Sequence, residues 1–425
     1  MKILCVMRIP PALNGHGGSQ RAWFLLHALR QLAPIHFVLV SRKFDRDAAT
    51  VPLDPIRPLV ESVTHIDIPE WNFEPLPHLG PMHRDWRQVW KLRSAEAPKL
   101  TYESLRKVAE QFPIRSADML FAGRLPTAVI LQSMIERGLL AADFRFADFD
   151  DLMSRYVERR LQAEAAFAGR QGRAILRYDA RYIRRAEARI ASAWDGVSVC
   201  TDADVDDIRD LAPQSRPSKI PNVVSRDFLP TRPADDAVQI LFVGNLGSLP
   251  NVDGLRRFAR DAWPSIRSAL PHASLLVVGL DPSDEVRDIV AEHGFELHAN
   301  VPDLHRFYQR SDIVISPILI GSGTRIKILE AMAYGRPVVS TFVGAEGLGL
   351  ENGREAMLVE EVAGFVGPVI ALARDPDARQ HLADRARAYQ QREYSPATMD
   401  EAIRVAMQPG TDRRQTRPAI LARAQ

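Results

Sequence analysis

The sequence predicts an α/β protein built from two doubly wound domains in series. Apolar runs of four to six residues alternate with helix-like segments from end to end. That is the pattern of parallel strands joined by crossover helices. The alternation breaks once, in a stretch rich in Pro, Ser and charge at 213–236, and then restarts. At 425 residues the chain is also too long for one hydrophobic core, so two domains are the natural expectation.

In the first half, strands are expected near Ile3–Met7, Ile35–Val40, His65–Ile68, Asp118–Phe121, Phe144–Asp148 and Gly196–Cys200. A long helical stretch from Leu152 to Trp194 is interrupted near Gly169 and Gly172. In the second half the strands are Gln239–Val243, Ser274–Val278, Glu296–Asn300, Asp312–Ser316, Pro337–Ser340 and Ala356–Val359. Helices between them include Asn251–Leu270, Pro282–His293 and Thr324–Tyr334. The division is a first domain at 1–213, a linker at 214–236 and a second domain at 237–378. Closing helices follow at 379–408 (roughly Arg379–Gln391 and Pro396–Met407), then a polar, Arg-rich tail at 409–425 expected to be disordered. Ligands of such sheets bind at the carboxyl ends of the strands. Two facing domains therefore put their sites on either side of one cleft.

Composition narrows the function classes. Hydrophobic content of 46% and charged content of 25% are ordinary for a soluble globular protein. A formal net charge of +2 gives no reason to expect nucleic-acid binding. Cys5 and Cys200 are the two cysteines, which implies neither a disulfide framework nor a Cys-rich metal site and fits a reducing compartment. The first apolar run is interrupted by Arg8 and Pro10, too soon for a signal peptide. No apolar run approaches the ~20 residues needed to span a bilayer. The expected location is the cytoplasm, with peripheral membrane contact as an option. Two stretches raise that option: Arg84–Arg93, which would set Trp86 and Trp90 one turn apart among basic residues, and 155–189, which carries ten arginines. A solvated helix with buried tryptophans explains the first equally well.

The most informative stretch is Gly321–Thr341, GSGTRIKILEAMAYGRPVVST. A short apolar strand runs into a glycine-punctuated turn, and a helix opens at Thr324 carrying Arg325, Lys327 and Glu330. Gly335-Arg-Pro337 stops that helix before the next strand. A glycine turn at a helix N-terminus is an anion site, because free N–H groups and the positive helix end face one pocket. Two cations and a carboxylate beside it suit a ligand with phosphates at one end and hydroxyls at the other. A plain βα turn that binds nothing is the alternative.

Glu330-Ala-Met-Ala333, Gly335, Pro337-Val-Val339 and Thr341 resemble the signature helix of retaining GT-B glycosyltransferases of the family-4, or group 1, type. The resemblance implies a GT-B fold and metal-independent transfer, with retention, from a nucleotide diphosphate sugar. That donor is a substrate, and no cofactor is implied. The acceptor would be a glycan or lipid-linked acceptor entering from the first domain. Asn245–Asp253 with the GSGTRIK form looks like sugar transferases of bacterial exopolysaccharide clusters, including those accompanying exosortase systems.

The resemblance also places individual residues. It assigns Glu330 to the ribose hydroxyls, a role a carboxylate can fill by accepting from a vicinal diol; an exposed helix glutamate is the alternative. Gly321, Ser322, Gly323 and Thr324 form the donor turn. Asn14–Arg21 fails both the G-x-G-x-x-G spacing and the P-loop pattern. It looks instead like the glycine-pair loop beneath the donor diphosphate, with Gly17, Gly18 and Ser19 at the donor. His16 is the candidate acceptor-side proton carrier, against a solvated loop histidine.

Two departures bear on mechanism. Relatives carry an Arg and a Lys after the first strand of the second domain, whereas Gly244, Asn245 and the residues up to Asp253 hold no cation. Loss of a nucleoside diphosphate needs fixed positive charge, so Arg325 and Lys327 are the expected catalytic cations. Regular helix geometry sets them about 200° apart, so both reach one phosphate only if the helix start is irregular. Secondly, Ser322 stands where relatives often have a glutamate, eight positions before Glu330. A serine can bond a sugar but cannot be a carboxylate nucleophile. Front-face attack assisted by the donor phosphate stays compatible, and no base is identified. Asp148 and Asp150, with Asp151, cap a helix or contact the acceptor across the cleft. A metal-binding D-x-D role belongs to the other glycosyltransferase fold. Asn222, in Ile220-Pro-Asn222, resembles the turn that closes the first domain. Rival readings are a nucleotide-sugar 2-epimerase, a nicotinamide-dependent reductase disfavoured by the failed fingerprint, and a GT-B scaffold that binds nucleotide without transfer.

Overall fold

The computed structural model describes residues 1–41, 52–68, 100–163, 169–230, 237–320 and 325–408. The Trp86/Trp90 stretch, the turn residues Gly321, Ser322, Gly323 and Thr324, and the tail at 409–425 lie outside the described residues.

Two all-parallel sheets organise the chain. The first holds β1 (Ile3–Met7), β2 (Ile35–Ser41), β3 (Ser62–Asp67), β4 (Ser116–Gly123), β5 (Ala141–Asp150), β6 (Gly196–Val199) and β7 (Pro217–Lys219), in the order β3-β2-β1-β4-β5-β6-β7. The second holds β8 (Gln239–Asn245), β9 (Ser274–Leu280), β10 (Glu296–Ala299), β11 (Ile313–Ser316), β12 (Val338–Thr341) and β13 (Met357–Val359), in the order β10-β9-β8-β11-β12-β13. Pro217–Lys219 was expected in the linker. It is instead the edge strand of the first sheet, with Pro217 opposite Val197. An edge strand tolerates a proline because one row of its N–H groups has no partner to bond. The expected helix Asn251–Leu270 is two helices, Leu249–Asp261 and Trp263–Ala269. Pro264 explains the break: it has no N–H to continue the ladder and sits comfortably in a first helical turn.

Each sheet is buried on both faces, and β1 shows how. Ile3, Cys5 and Met7 point into one core with Phe37, Phe121 and Leu29; Leu4 and Val6 point into another with Leu120, Phe149 and Trp194. That alternation follows from the two-residue strand period. The closing helices are Pro376–Glu393 and Pro396–Ala406. The second crosses back to the first domain, where Met399, Ile403 and Met407 join the core under helix Gly17–Arg30. Each such side chain is worth about 1.5–3 kcal/mol of burial, so the crossing is firmly anchored.

The topology then fixes the site. Strand order reverses beside β1 in the first sheet and beside β8 in the second. A crevice opens at such reversals. The loops after β1, β4, β8 and β11 therefore converge from both domains.

Candidate functional site

Those loops enclose a cleft of about 750 Å³ lined from both domains, among others by Arg8, His16, Gln20, Asn251, Lys327 and Glu330. A smaller compartment of about 290 Å³ adjoins it, lined by Arg124, Asp151, Tyr156 and Ser248. Asn251, Arg325 and Lys327 line both spaces, so the cations stand at their junction.

The signature helix runs Ile326–Ala333, two residues later than expected. Arg325 precedes it in extended conformation, φ −84° and ψ 93°. This is the irregular start that the helix geometry demanded, and it lets Arg325 and Lys327 face the same junction. At the other end Gly335 has φ 75°, the N–H of Gly335 bonds Met332 O at 3.0 Å and that of Arg336 bonds Ala331 O at 2.8 Å. These are the two bonds of a Schellman stop, and they need a residue that tolerates left-handed backbone. Arg336 itself is structural: fully buried, it donates through Nε to Tyr308 O at 2.6 Å.

Lys327 is half-buried, and its Nζ donates to Asn251 Oδ1 at 2.6 Å and lies 5.0 Å from the Phe242 ring centre. Burial first, and then Arg325, push its pKa down to about 7. Arg325 is likewise drawn below its ordinary value by burial, which Asp151 and Glu346 only partly offset. Asn251 is held by its own bond to Asn245 O at 2.9 Å. Its amide lies 2.8 Å from where a side chain on Gly244 would begin. Gly244 is thus required to seat the asparagine that meets Lys327. The cation missing from this stretch is replaced by an amide that positions one from elsewhere.

Glu330 is buried at 4% exposure, facing the cleft rather than solvent. Its Oε1 accepts from Gln20 Nε2 at 3.0 Å and from Arg226 Nη2 at 2.8 Å. The Tyr308 hydroxyl is 3.5 Å from Oε2.

Across the cleft His16 caps helix Gly17–Arg30: its Nδ1 accepts from Gly18 N and its Nε2 meets Ser19 Oγ, both at 3.2 Å. The imidazole orders the loop. Ser19 is fully buried behind it. A side chain on Gly17 would begin 2.9 Å from Ile326 Cγ1, so the glycine lets the two half-sites touch.

Asp148 and Asp150 are not open to an acceptor. Asp148 is buried and takes a two-pronged bond from Arg21, Nε to Oδ2 at 2.9 Å and Nη2 to Oδ1 at 2.6 Å, with Ser198 Oγ on Oδ1 at 2.7 Å. Asp150 follows a bulge at φ 65° and is held by Arg124 and by Asn222 Nδ2 at 3.0 Å. Asn222 also accepts from Arg21 Nη1 at 3.0 Å, so the expected closing turn is tied into the same network. Asp151, bonded by Arg124 Nη1 at 3.1 Å, is the member that reaches the smaller compartment.

The sequence reading missed Arg8, Gln20, Arg124 and Arg226. Arg124 carried a signal: it directly follows β4, next to the sheet's reversal. Arg8 follows β1 in the same way and Gln20 lies within the glycine-pair stretch, whereas Arg226 is brought in by long-range packing.

Residues 237–375 match the family profile described as "Glycosyl transferases group 1". The second domain is accordingly a group 1 glycosyl transferase domain, as the signature helix implied. An uncharacterised 44.6 kDa protein of the cps region of Klebsiella pneumoniae is 27% identical over 163 residues, 36% of this chain and 42% of that protein. The chain thus spans less than half the length of this curated relative. Among solved structures, sucrose-phosphate synthase from Thermosynechococcus elongatus superposes with a TM-score of 0.64 at 15% identity, covering 95% of this chain and 98% of that one. Anabaena HepE in complex with UDP and glucose superposes at 0.59 and 15%, with coverage of 95% and 98%. The fold is GT-B over nearly the whole chain.

Proposed function

We propose that this protein transfers a sugar, with retention, from a nucleotide diphosphate sugar to a glycan or lipid-linked acceptor. The observation that carries the reading is the junction of the two compartments, where Arg325 and Lys327 meet and Lys327 rests on a neutral amide. Two cations whose charged forms are disfavoured by burial gain most when an anion arrives. A nucleoside diphosphate in the larger space would bring its phosphates there and its ribose to Glu330. HepE, with UDP and glucose, supports that class of donor.

On this reading Arg325 and Lys327 stabilise the departing diphosphate, supplying the fixed charge that the Gly244–Asp253 stretch lacks. The glycine-pair loop, held by His16, lets backbone approach the phosphates from the other side. The acceptor hydroxyl enters through the smaller compartment past Arg124, Asp151 and Tyr156. It attacks the anomeric carbon on the face the diphosphate leaves, and the leaving phosphate oxygen takes its proton. The Klebsiella cps-region relative supports a place in exopolysaccharide or cell-surface polysaccharide synthesis.

Thermal-shift titration with UDP, GDP, ADP, their sugars and NADH, on the wild type and on Glu330→Ala and Arg325→Ala, tests the reading. Stabilisation by one diphosphate, lost in both variants, is expected, because a native-state ligand raises Tm as its concentration exceeds Kd. No shift with any diphosphate sinks it. Binding without turnover of the matching sugar donor, across a panel of glycan and lipid-linked acceptors, favours the scaffold instead.

A cytoplasmic location with peripheral membrane contact belongs to the same proposal. Among the described residues no helix is long and apolar enough to cross a membrane. On helix Gly169–Ala193 the exposed positions Arg177, Tyr178, Arg181, Arg184 and Arg185 recur at one-turn spacing without an acid among them. Co-sedimentation with vesicles of anionic lipid, reduced by Arg181→Glu with Arg185→Glu, is the expected result. Equal sedimentation of both proteins would remove this part.

A further inference from the structure

Arg226 lies on the strap joining the two domains, four residues beyond Asn222, and no role described so far uses it. Its Nη2 donates to Leu13 O at 3.4 Å, to Gln20 Oε1 at 3.0 Å and to Glu330 Oε1 at 2.8 Å, while Nη1 donates to Ser225 O at 2.9 Å. Leu13 and Gln20 belong to the first domain and Glu330 to the second. One guanidinium therefore ties the glycine-pair loop, the first helix and the signature helix together.

Gln20 closes the arrangement. Its Nε2 donates to the same Glu330 Oε1 at 3.0 Å and to Gly15 O at 2.9 Å. A carboxylate oxygen offers two lone-pair sites, so Oε1 is filled by Gln20 and Arg226. Oε2 has the distant Tyr308 hydroxyl, 3.5 Å away, as its contact among the described residues. Tyr308 is itself fixed, buried and stacked on Tyr334 with ring centres 4.6 Å apart. Gln20 and Glu330 line the large cleft, whereas Arg226 is not among its lining residues. The guanidinium thus reaches the carboxylate from behind the cavity.

The geometry points to Arg226 as a positioning residue for Glu330: with Gln20 it commits Oε1 to the protein, so that Oε2 is the oxygen offered to a ribose hydroxyl. Because its acceptors sit on both domains, the offered oxygen is aligned only when the domains are closed. This rests on the donor reading above, since it assumes a ribose in the cleft. It adds that sugar-ring recognition by Glu330 is set from the strap.

The test compares affinities of UDP, GDP and ADP with those of their 2′-deoxy and 3′-deoxy forms by titration calorimetry, on wild type, Arg226→Met, Arg226→Lys and Gln20→Leu. A hydroxyl bonded to a carboxylate is worth about tenfold or more in affinity. Wild type should therefore prefer one ribose form over a deoxy form by about that factor. In Arg226→Met the preference should fall to about twofold with deoxy affinity nearly unchanged, and Arg226→Lys should recover part of it. Arg226→Met keeping the full preference, or weakening both forms equally as a merely structural residue would, overturns the inference. If Arg226→Met does not fold, Gln20→Leu reads the same oxygen by the same ratio. If no diphosphate binds the wild type, it is the donor reading that fails.

Discussion

Two groups of cations meet at this cleft in opposite electrical condition. On the first domain, Arg21 and Arg124 are surrounded by Asp148, Asp150 and Asp151. Burial alone would lower both pKa values, and the carboxylates outweigh it, so both are raised. On the second domain Arg325 and Lys327, both half-buried, are lowered instead. Residue type does not separate the groups, since each contains arginine. What separates them is the balance: around Arg21 and Arg124 the carboxylates outweigh burial, whereas for Arg325 Asp151 and Glu346 offset it only in part, and Lys327 rests on an amide. Where the carboxylates prevail, the cation is architecture; where an amide stands in their place, as Asn251 does for Lys327, the proposed function has an anion complete the site.

The largest expected effect breaks the two groups apart by stability. Arg21→Met leaves Asp148 buried without its partner. Removing one member of a buried pair costs about 3–5 kcal/mol. Its Tm should fall steeply, and activity should go with the folded fraction. Lys327→Met should do the reverse: an unchanged or higher Tm, with turnover reduced by about 10²–10³ for loss of one transition-state contact. Differential scanning calorimetry beside an assay for nucleoside diphosphate release checks both. Equal destabilisation by the two substitutions would erase the contrast.

This contrast also marks what could be read in the sequence. The strand pattern gave both sheets, because parallel strands buried on two faces are written as unbroken apolar runs such as Ile240–Val243 and Leu275–Val278. The signature helix was legible because its motif residues, from Arg325 to Thr341, lie in one local segment. For Asp148 and Asp150 the sequence left helix capping and acceptor contact both open, because their partners Arg21 and Asn222 are 127 and 72 residues away, respectively. Arg226 was invisible for the same reason, lying 104 residues from Glu330. How far the protein's own carboxylates offset the burial of a cation is a property of tertiary contact, so local pattern cannot tell an Arg21 from an Arg325. The break at Pro264 and the short edge strand at Pro217 were missed on smaller grounds. Each is a proline whose effect depends on where its element ends.

A smaller effect sharpens the contrast through pH. The Lys327 pKa is lowered from 10.5 to about 7. The unfolded chain therefore binds the extra proton between those values, and the fold gains stability from this group as pH rises through that window. Diphosphate binding runs the other way, because the anion favours the protonated amine. At about pH 8 the complex should take up close to one proton, and affinity should decline as pH rises above 7. Calorimetry in buffers of different ionisation enthalpy measures that uptake. Lys327→Met should show almost none, and uptake persisting in that variant would assign the proton elsewhere.

The smallest effect is expected at a third arrangement, where cation and carboxylate come from different domains. Arg159 and Arg155, on helix Met153–Ala163, reach Glu346 in the loop after β12, with Arg159 Nη2 to Oε1 at 2.6 Å and Arg155 Nη2 to Oε1 at 3.3 Å. Glu346 is 39% exposed and the two arginines 25% exposed, so solvent and salt screen the pairs. Exposed pairs are worth roughly 0–1 kcal/mol. Nearby, a side chain on Gly347 would begin 2.5 Å from Thr201 Cγ2, so the loop is already fitted to the first domain by shape. Glu346→Gln should lower Tm by less than about 3 °C. In low salt it should weaken diphosphate binding slightly, by loosening closure, and the difference from wild type should vanish by about 0.5 M salt, where the Debye length is only a few ångströms. The buried Arg226–Glu330 contact should be insensitive to the same change. A salt-independent effect of Glu346→Gln would place this carboxylate with the protein's committed charges, beside Asp148, rather than at a screened latch between the domains.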